Sequence, residues 1–316
     1  MTAAAPVYLL DASIYIFQAY FSPYNNSVDE AGQDLSAFVG FAQFLMSLYR
    51  RERPLSGAVA MDNALFTGFR HALSEEYKSN RELPDENLAR QLDFCARAAD
   101  VLGWPVFAST RYEADDIIGT LAKRSRGSGA VDTQGGVCIV SRDKDLAQLI
   151  RAEADVLWDF SSNRRRTRTD IERELGIPTT CIPDYLGLVG DSVDCIAGVP
   201  GVGPVKAAAL LSEFGTMDGI YSNLDEVAAM QLRGAKALAS KLSVFETQAR
   251  RCKLLATIVE EPEDSSEAFA NASIADLALV SPNLNEFSKL LEEARVPKVQ
   301  LARMSEALVR LVEVSS

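Results

Sequence analysis

The chain has 316 residues, 47% of them apolar and 24% charged, with 32 Lys and Arg against 44 Asp and Glu and a formal net charge of −12. This composition suits one large folded domain or two ordinary ones, and it excludes collagen-like, disulfide-scaffold and wholly disordered classes. At first sight the acidity argues against nucleic acid, whose phosphates attract Lys and Arg.

From the N-terminus, MTAAAPVYLLDAS lacks a basic stretch and a long apolar core, so no signal peptide is expected. No apolar run reaches the ~20 residues of a membrane-spanning helix, and a cytoplasmic protein is the expectation. Val7–Leu10 reads as a buried strand, and Asp11 follows it. Leu35–Tyr49 has helical periodicity and is apolar nearly all round, which predicts a deeply covered helix. Gly57–Met61 is a second strand, followed by Asp62. Phe69-Arg70-His71 and Tyr77-Lys78-Ser79-Asn80-Arg81 then interleave cations with aromatics, as a phosphodiester substrate would require, although a solvated helix face would look the same. After a helix over Leu88–Leu102 comes the strand Pro105–Ala108, and Glu113-Ala114-Asp115-Asp116 opens the helix containing Ile117–Lys123. Arg124–Gly136 is Gly- and Ser-rich and reads as a surface loop. The strand Val137–Val140 precedes Asp143 and Asp145, and Val156–Trp158 is a fifth strand. Strand and helix in alternation indicate an α/β domain with a parallel sheet. Arg164–Arg168 reads as a solvated turn.

Beyond about residue 175 the strand signals stop. Helices are expected over Pro183–Val189, Val205–Phe214, Leu224–Met230, Ala235–Leu255, Leu284–Ala294 and Val299–Val312, with an acidic linker or exposed loop at Glu260–Ala272. Asp191-Ser-Val-Asp194 lies in a Gly-flanked loop, and Gly198-Val-Pro-Gly201-Val-Gly203-Pro-Val-Lys206 follows. The latter fits neither a Walker loop nor G-x-G-x-x-G. It is a Gly turn presenting backbone N–H groups at a helix N-terminus, which suits a phosphate, with Lys206 favouring a nucleic-acid backbone over a plain helix–helix turn.

Three strands thus end in acid at one sheet edge, where ligands bind in open parallel sheets. A single Asp after a strand is an ordinary helix cap, but three such positions indicate a shared site. Thr110 and Glu113 fit a capping box; this leaves two further carboxylates that repel unless a cation separates them. One histidine, His71, and five scattered cysteines (Cys95, Cys138, Cys181, Cys195 and Cys252) give no zinc site, so hard ions such as Mg²⁺ or Mn²⁺ are the natural partners. His71 itself is expected to be structural.

Taken in order, LLDAS, AMD, FRH, YKSNR, YEADDIIGTLAK, VSRDKDLAQL, GLVGDSVD and GVPGVGPVKAAALL resemble the 5′-nuclease family, the bacterial 5′→3′ exonuclease and flap endonuclease type found as the N-terminal region of DNA polymerase I. The resemblance implies a PIN-like parallel-sheet nuclease core over residues 1–175, with a helical arch at about 63–97. It further implies a mostly helical DNA-binding part over 176–316, with a helix-hairpin-helix-like turn at about 184–214. It implies two divalent-metal sites lined by Asp11, Asp62, Glu113, Asp115, Asp116, Asp143, Asp145, Asp191 and Asp194. Arg70, Tyr77, Lys78 and Arg81 fall on the catalytic arch-base cations and stacking residue. Gly201, Gly203 and Lys206 fall on the duplex-binding turn, where the family also holds K⁺. Cys195 and Ala197 stand where the family commonly has Asn and Pro, and Ser192 where Glu is common.

The implied activity is metal-assisted hydrolysis of DNA at 5′ flaps and ends, leaving 5′ phosphates, by a monomer acting in replication and repair. The alternatives are a DNA-binding protein of this fold with weakened catalysis and a PIN-type nuclease acting on RNA. A haloacid-dehalogenase phosphatase would need a second Asp where Ala12-Ser13 follow Asp11. Nine of the 44 acids would line a metal socket, so the net charge no longer excludes nucleic acid.

Overall fold

The computed structural model describes residues 5–127 and 136–315. Six strands form one sheet: β1 (Val7–Asp11), β2 (Ser56–Asp62), β3 (Val106–Ser109), β4 (Val137–Val140), β5 (Val156–Asp159) and β6 (Arg164–Thr167), in the order β3-β2-β1-β4-β5-β6. The first five are parallel, and β6 returns antiparallel to β5. Side chains alternate between two apolar layers, as strand pleating requires. Tyr8, Leu10, Val59, Met61, Cys138 and Trp158 enter one layer, while Val7, Leu9, Ala58, Ala60, Ile139 and Leu157 enter the other. Both faces are covered, which explains why these strands read as continuous apolar runs.

The helices of the first half are α1 (Ala12–Tyr20), α2 (Ser36–Glu52), α3 (Phe69–Leu73), α4 (Glu86–Val101), α5 (Ala114–Gly127) and α6 (Arg168–Leu175). Of α2 only Gln43, Arg50 and Arg51 are exposed, as its all-round apolar pattern predicts. In the second half come α7 (Ile182–Val189), α8 (Pro204–Phe214), α9 (Met217–Ser222), α10 (Leu224–Ala229), α11 (Ala235–Val244), α12 (Glu246–Ala256), α13 (Leu284–Glu293) and α14 (Lys298–Ser315). Helices α7–α12 build a third apolar cluster around Leu188, Leu210, Leu211, Met217, Ile220 and Leu242.

Several expectations are corrected. The Arg164–Arg168 turn is instead β6 and the start of α6: Arg165 lies 4.1 Å over the Trp158 ring and pairs with Glu52 at 2.6 Å. A charged strand of this kind guards a sheet edge against pairing with another chain. The single helix expected over Ala235–Leu255 turns at Phe245 and becomes α11 and α12. Glu260–Ala272 is no free linker, because Phe269 is fully buried and stands edge-on to Tyr112 at 5.8 Å. From residue 86 on, the expected arch is core helix, with Leu88, Phe94, Cys95 and Ala98 of α4 buried in the α2 layer. Helices α13 and α14 do not belong with the second half either. Phe287, Leu291, Met304 and Leu308 complete the layer over α2 and α4. Of the loop expected over Arg124–Gly136, the first four residues are the last turn of α5, and residues 128–135 lie outside the described residues.

The strand order reverses direction between β1 and β4. Crossovers leave this pair on opposite sides, opening a crevice at the C-terminal strand ends. Asp11 ends β1, and Ser141 and Asp143 follow β4, so the acids of the central strands meet at this switch point.

Candidate active site

Asp11 occupies the N-cap position of α1 but closes no side-chain cap bond; its carboxylate accepts from the Ser141 hydroxyl of the neighbouring strand at 2.8 Å. Capping alone therefore does not explain it, although the Ile14 amide also favours its charged form. Burial, then the charges of Asp143 and Asp62, push the Asp11 carboxyl up to about 7, with Ser141 pulling the other way. Burial, Asp143 and Asp11 push Asp115 well above the usual carboxylate range. Burial and Asp143 raise Asp145 to about 7, and burial with Glu113 raises Asp62. Asp194 is raised by burial, with Lys78 opposing. Acids from five separate stretches of chain thus repel one another within one cluster. Asp62, Asp115, Asp143, Asp145 and Asp194 each keep a solvent-facing edge, so water screens part of that repulsion.

Two predicted site residues leave the cluster. Asp116 is fully buried, and its oxygens accept from Arg70 Nη1 at 2.6 Å, Arg70 Nη2 at 2.7 Å and the amides of Glu113 and Val259. The bond to the Glu113 amide is the N-terminal cap of α5, replacing the box expected from Thr110 and Glu113. With every acceptor site taken, Asp116 has none left for a metal. Arg70 is equally enclosed: it donates also to the carbonyls of Leu255 and Thr257, so it fastens α3 and α5 to the chain leaving α12. It is a structural clamp rather than a substrate cation.

Tyr77 and Lys78 converge on Glu113, which also accepts a longer bond from Arg70 Nη1 at 3.3 Å. Tyr77 donates to it at 2.9 Å and Lys78 Nζ at 2.7 Å. Burial alone would raise the Glu113 carboxyl, but Lys78 and Arg70 hold it below its usual range. Burial would lower Lys78; the Glu113 and Asp194 carboxylates raise it. Tyr77 is buried, so its ring is no open stacking face. His71 presents its ring to Tyr77 at 5.4 Å and accepts from the Phe66 amide, a structural position as expected.

Residues 78–81 dock on the loop after α7. The Lys78 amide donates to the Asp194 carbonyl, Asn80 to the Val193 carbonyl, and Arg81 to the Asp194 carboxylate at 3.0 Å. That loop is closed by reciprocal bonds between Asp191 and Ile196. Gly198 lies so close to Gly190 that a Cβ there would stand 2.4 Å from the Gly190 nitrogen, and its φ of +65° favours glycine. The carboxylate loop and the Gly turn therefore share one base. In the turn, Gly201 has φ +82°, Gly203 caps α8, and Lys206 Nζ donates to the Gly201 carbonyl at 3.0 Å.

Sequence reasoning missed Ser141, Arg142, Lys144 and the face of α1. Lys144 Nζ pairs with the Asp191 carboxylate at 2.7 Å. Ile14, Phe17 and Phe21 border a cleft of about 550 Å³ whose floor holds Asp143, Asp145, Asp191 and Asp194. The DKD string flagged the acids but not which acid the lysine between them would reach.

The donor set fits a hard divalent cation: oxygen ligands only, several of whose carboxyls are raised by burial and by one another's charge. Among the described residues no group of three His, Cys, Asp or Glu closes into a finished metal cage. Glu113 and Asp191 are already held by Lys78 and Lys144.

Two family models match the chain: "5'-3' exonuclease, N-terminal resolvase-like domain" over residues 6–176 and "5'-3' exonuclease, C-terminal SAM fold" over residues 177–273. DNA polymerase I of Pseudomonas aeruginosa is 35% identical over 262 residues, covering 82% of this chain and 28% of that protein. A 5′-3′ exonuclease of Buchnera aphidicola subsp. Baizongia pistaciae is 31% identical over 250 residues, covering 79% of this chain and 80% of that protein. The chain spans under a third of the length of the DNA polymerase I relatives it matches. Among solved structures, T5 5′-exonuclease with bound zinc aligns with a TM-score of 0.61 at 16% identity, covering 97% of this chain and 99% of that one. The catalytic core of Rad2 with a DNA substrate aligns at 0.63 and 17% identity, covering 98% and 93%. At such identities the likeness shows the fold alone.

Proposed function

The chain belongs to the 5′-3′ exonuclease family, and from that premise we propose that it hydrolyses DNA phosphodiester bonds at 5′ ends and 5′ flaps in a divalent-metal-dependent reaction. The observation that carries the reading is the set of mutually repelling carboxylates at the β1–β4 switch point, with Lys78 and Arg81 at its rim. Asp11, Asp62, Glu113 and Asp115 would hold a metal on the core side; Asp143, Asp145, Asp191 and Asp194 would hold one on the side of the helical half. A bound divalent ion supplies a water of lowered pKa and neutralises charge on phosphorus oxygens.

The chain's own residues do the rest. Glu113 fixes the Lys78 ammonium, and Asp194 holds Arg81, half-exposed, at the mouth. Both cations are thereby pre-set to stabilise charge that develops on the scissile phosphate. The Gly201–Lys206 turn supports a grip on the duplex backbone, with Gly201 and Gly203 allowing close approach and Lys206 contributing charge. Mg²⁺ or Mn²⁺ as the metal, K⁺ at the Gly turn, 5′-flap preference and action as a monomer complete the reading.

A panel of labelled flap, nicked, blunt and single-stranded DNA tests it. Mg²⁺-dependent cleavage of the flap with 5′-phosphate products is expected, and no cleavage with either Mg²⁺ or Mn²⁺ would sink the proposal. A ribose flap cut as fast as the deoxyribose one would move the substrate to RNA. Lys78→Ala should lower kcat more than it weakens flap binding.

A further inference from the structure

The two lysines that neutralise the carboxylate cluster are held differently. Lys78 is 7% exposed, donates to Glu113, and is fixed through its backbone to Asp194. Lys144 is 64% exposed, and among the described residues its ammonium forms an ion pair with the Asp191 carboxylate alone, which is 4% exposed. Its backbone lies in an ordinary helical turn (φ −70°, ψ −26°), so rotation of the side chain alone would remove the charge. Asp191 cannot follow, because one carboxylate oxygen accepts from the Val193 amide at 2.8 Å and its backbone is bonded both ways to Ile196. Releasing Lys144 therefore leaves an immobile, buried carboxylate oxygen beside Asp145, and this requires another cation.

We infer that the Lys144 ammonium is a resident counter-cation of Asp191, which must be displaced before a divalent ion can bind on the Asp145–Asp191 side of the cleft. The inference rests on the metal-dependent reading above. It makes the two sides unequal: on the core side Lys78 stays in place, while on the helical side every entering ion competes with a tethered ammonium. The displaced amine remains at the mouth of the cleft with Arg81 and Arg142, where a phosphodiester enters.

The test is Mn²⁺ binding to the full-length protein without DNA, read from the free-ion electron paramagnetic resonance signal. Wild type should bind Mn²⁺ in a tighter and a weaker class. Lys144→Met should tighten the weaker class about two- to fivefold, the range of one partly exposed ion pair, and leave the tighter class unchanged. Arg142→Gln removes the same charge from the same mouth without touching Asp191, and should shift the weaker class far less. In an Asp191→Asn background, Lys144→Met should have much less effect, since only its longer-range interaction with Asp143 and Asp145 is left. An unchanged weaker class, equal tightening by Arg142→Gln, or full tightening in the Asp191→Asn background would each overturn the inference. Failure of the wild type to bind any Mn²⁺ would instead overturn the metal reading on which it stands.

Discussion

At the scale of single residues, the cluster trades stability for function. Asp11 and Asp145, pushed to about 7, bind protons in the folded state that the unfolded chain has released by pH 5. Between about pH 4 and 7 the native state is therefore the more protonated, and its stability falls as pH rises. The melting temperature of metal-free protein should drop from pH 5 to pH 8, and added Mg²⁺ should recover most at the alkaline end; a rising metal-free profile would contradict this sign. Asp115→Asn should by the same logic raise the metal-free melting temperature while lowering Mg²⁺-dependent cleavage by about a hundredfold or more. Arg70 and Asp116 behave oppositely. Arg70→Gln leaves a fully buried carboxylate short of its partner and should cost about 3–5 kcal/mol in denaturant unfolding.

At the scale of elements, the loop from Asp191 to Gly198 joins the two halves of the cleft. Within it Cys195 has φ +57°, a left-handed conformation that Asn adopts more readily than Cys. Cys195→Asn should stabilise the fold by about 0.5–1 kcal/mol, measured by denaturant unfolding with cleavage assayed beside it. The central strands and most of the acids were legible because an apolar run ending in Asp is a local pattern. Arg70 was misread because the carbonyls that engage it belong to residues 255 and 257, far along the chain. Asp116 was misread because a cap and a ligand look alike in sequence until the acceptor geometry is known. Helix α1 went unseen because it follows Asp11 without the acid-rich opening that marks α5. Strand β6 was hidden by its arginines, of which Arg165 lays its guanidinium on Trp158.

At the scale of the whole molecule, a division at about residue 175 describes the sequence pattern but not the packing. The last two helices return to the first core, and the matched family regions end at residue 273. A chain cut after that residue keeps every proposed site residue yet uncovers the apolar layer of α2 and α4. It should bind hydrophobic dye and lose its cooperative melt, whereas a sharp native-like transition would show that α13 and α14 are dispensable. The same closure bears on biosynthesis, since a ribosome delivers the N-terminal sheet first. While the segment that becomes α13 and α14 is still in the exit tunnel, the nascent chain carries its acids beside an open greasy face. Chaperone occupancy should therefore persist until α13 and α14 emerge and cover that face.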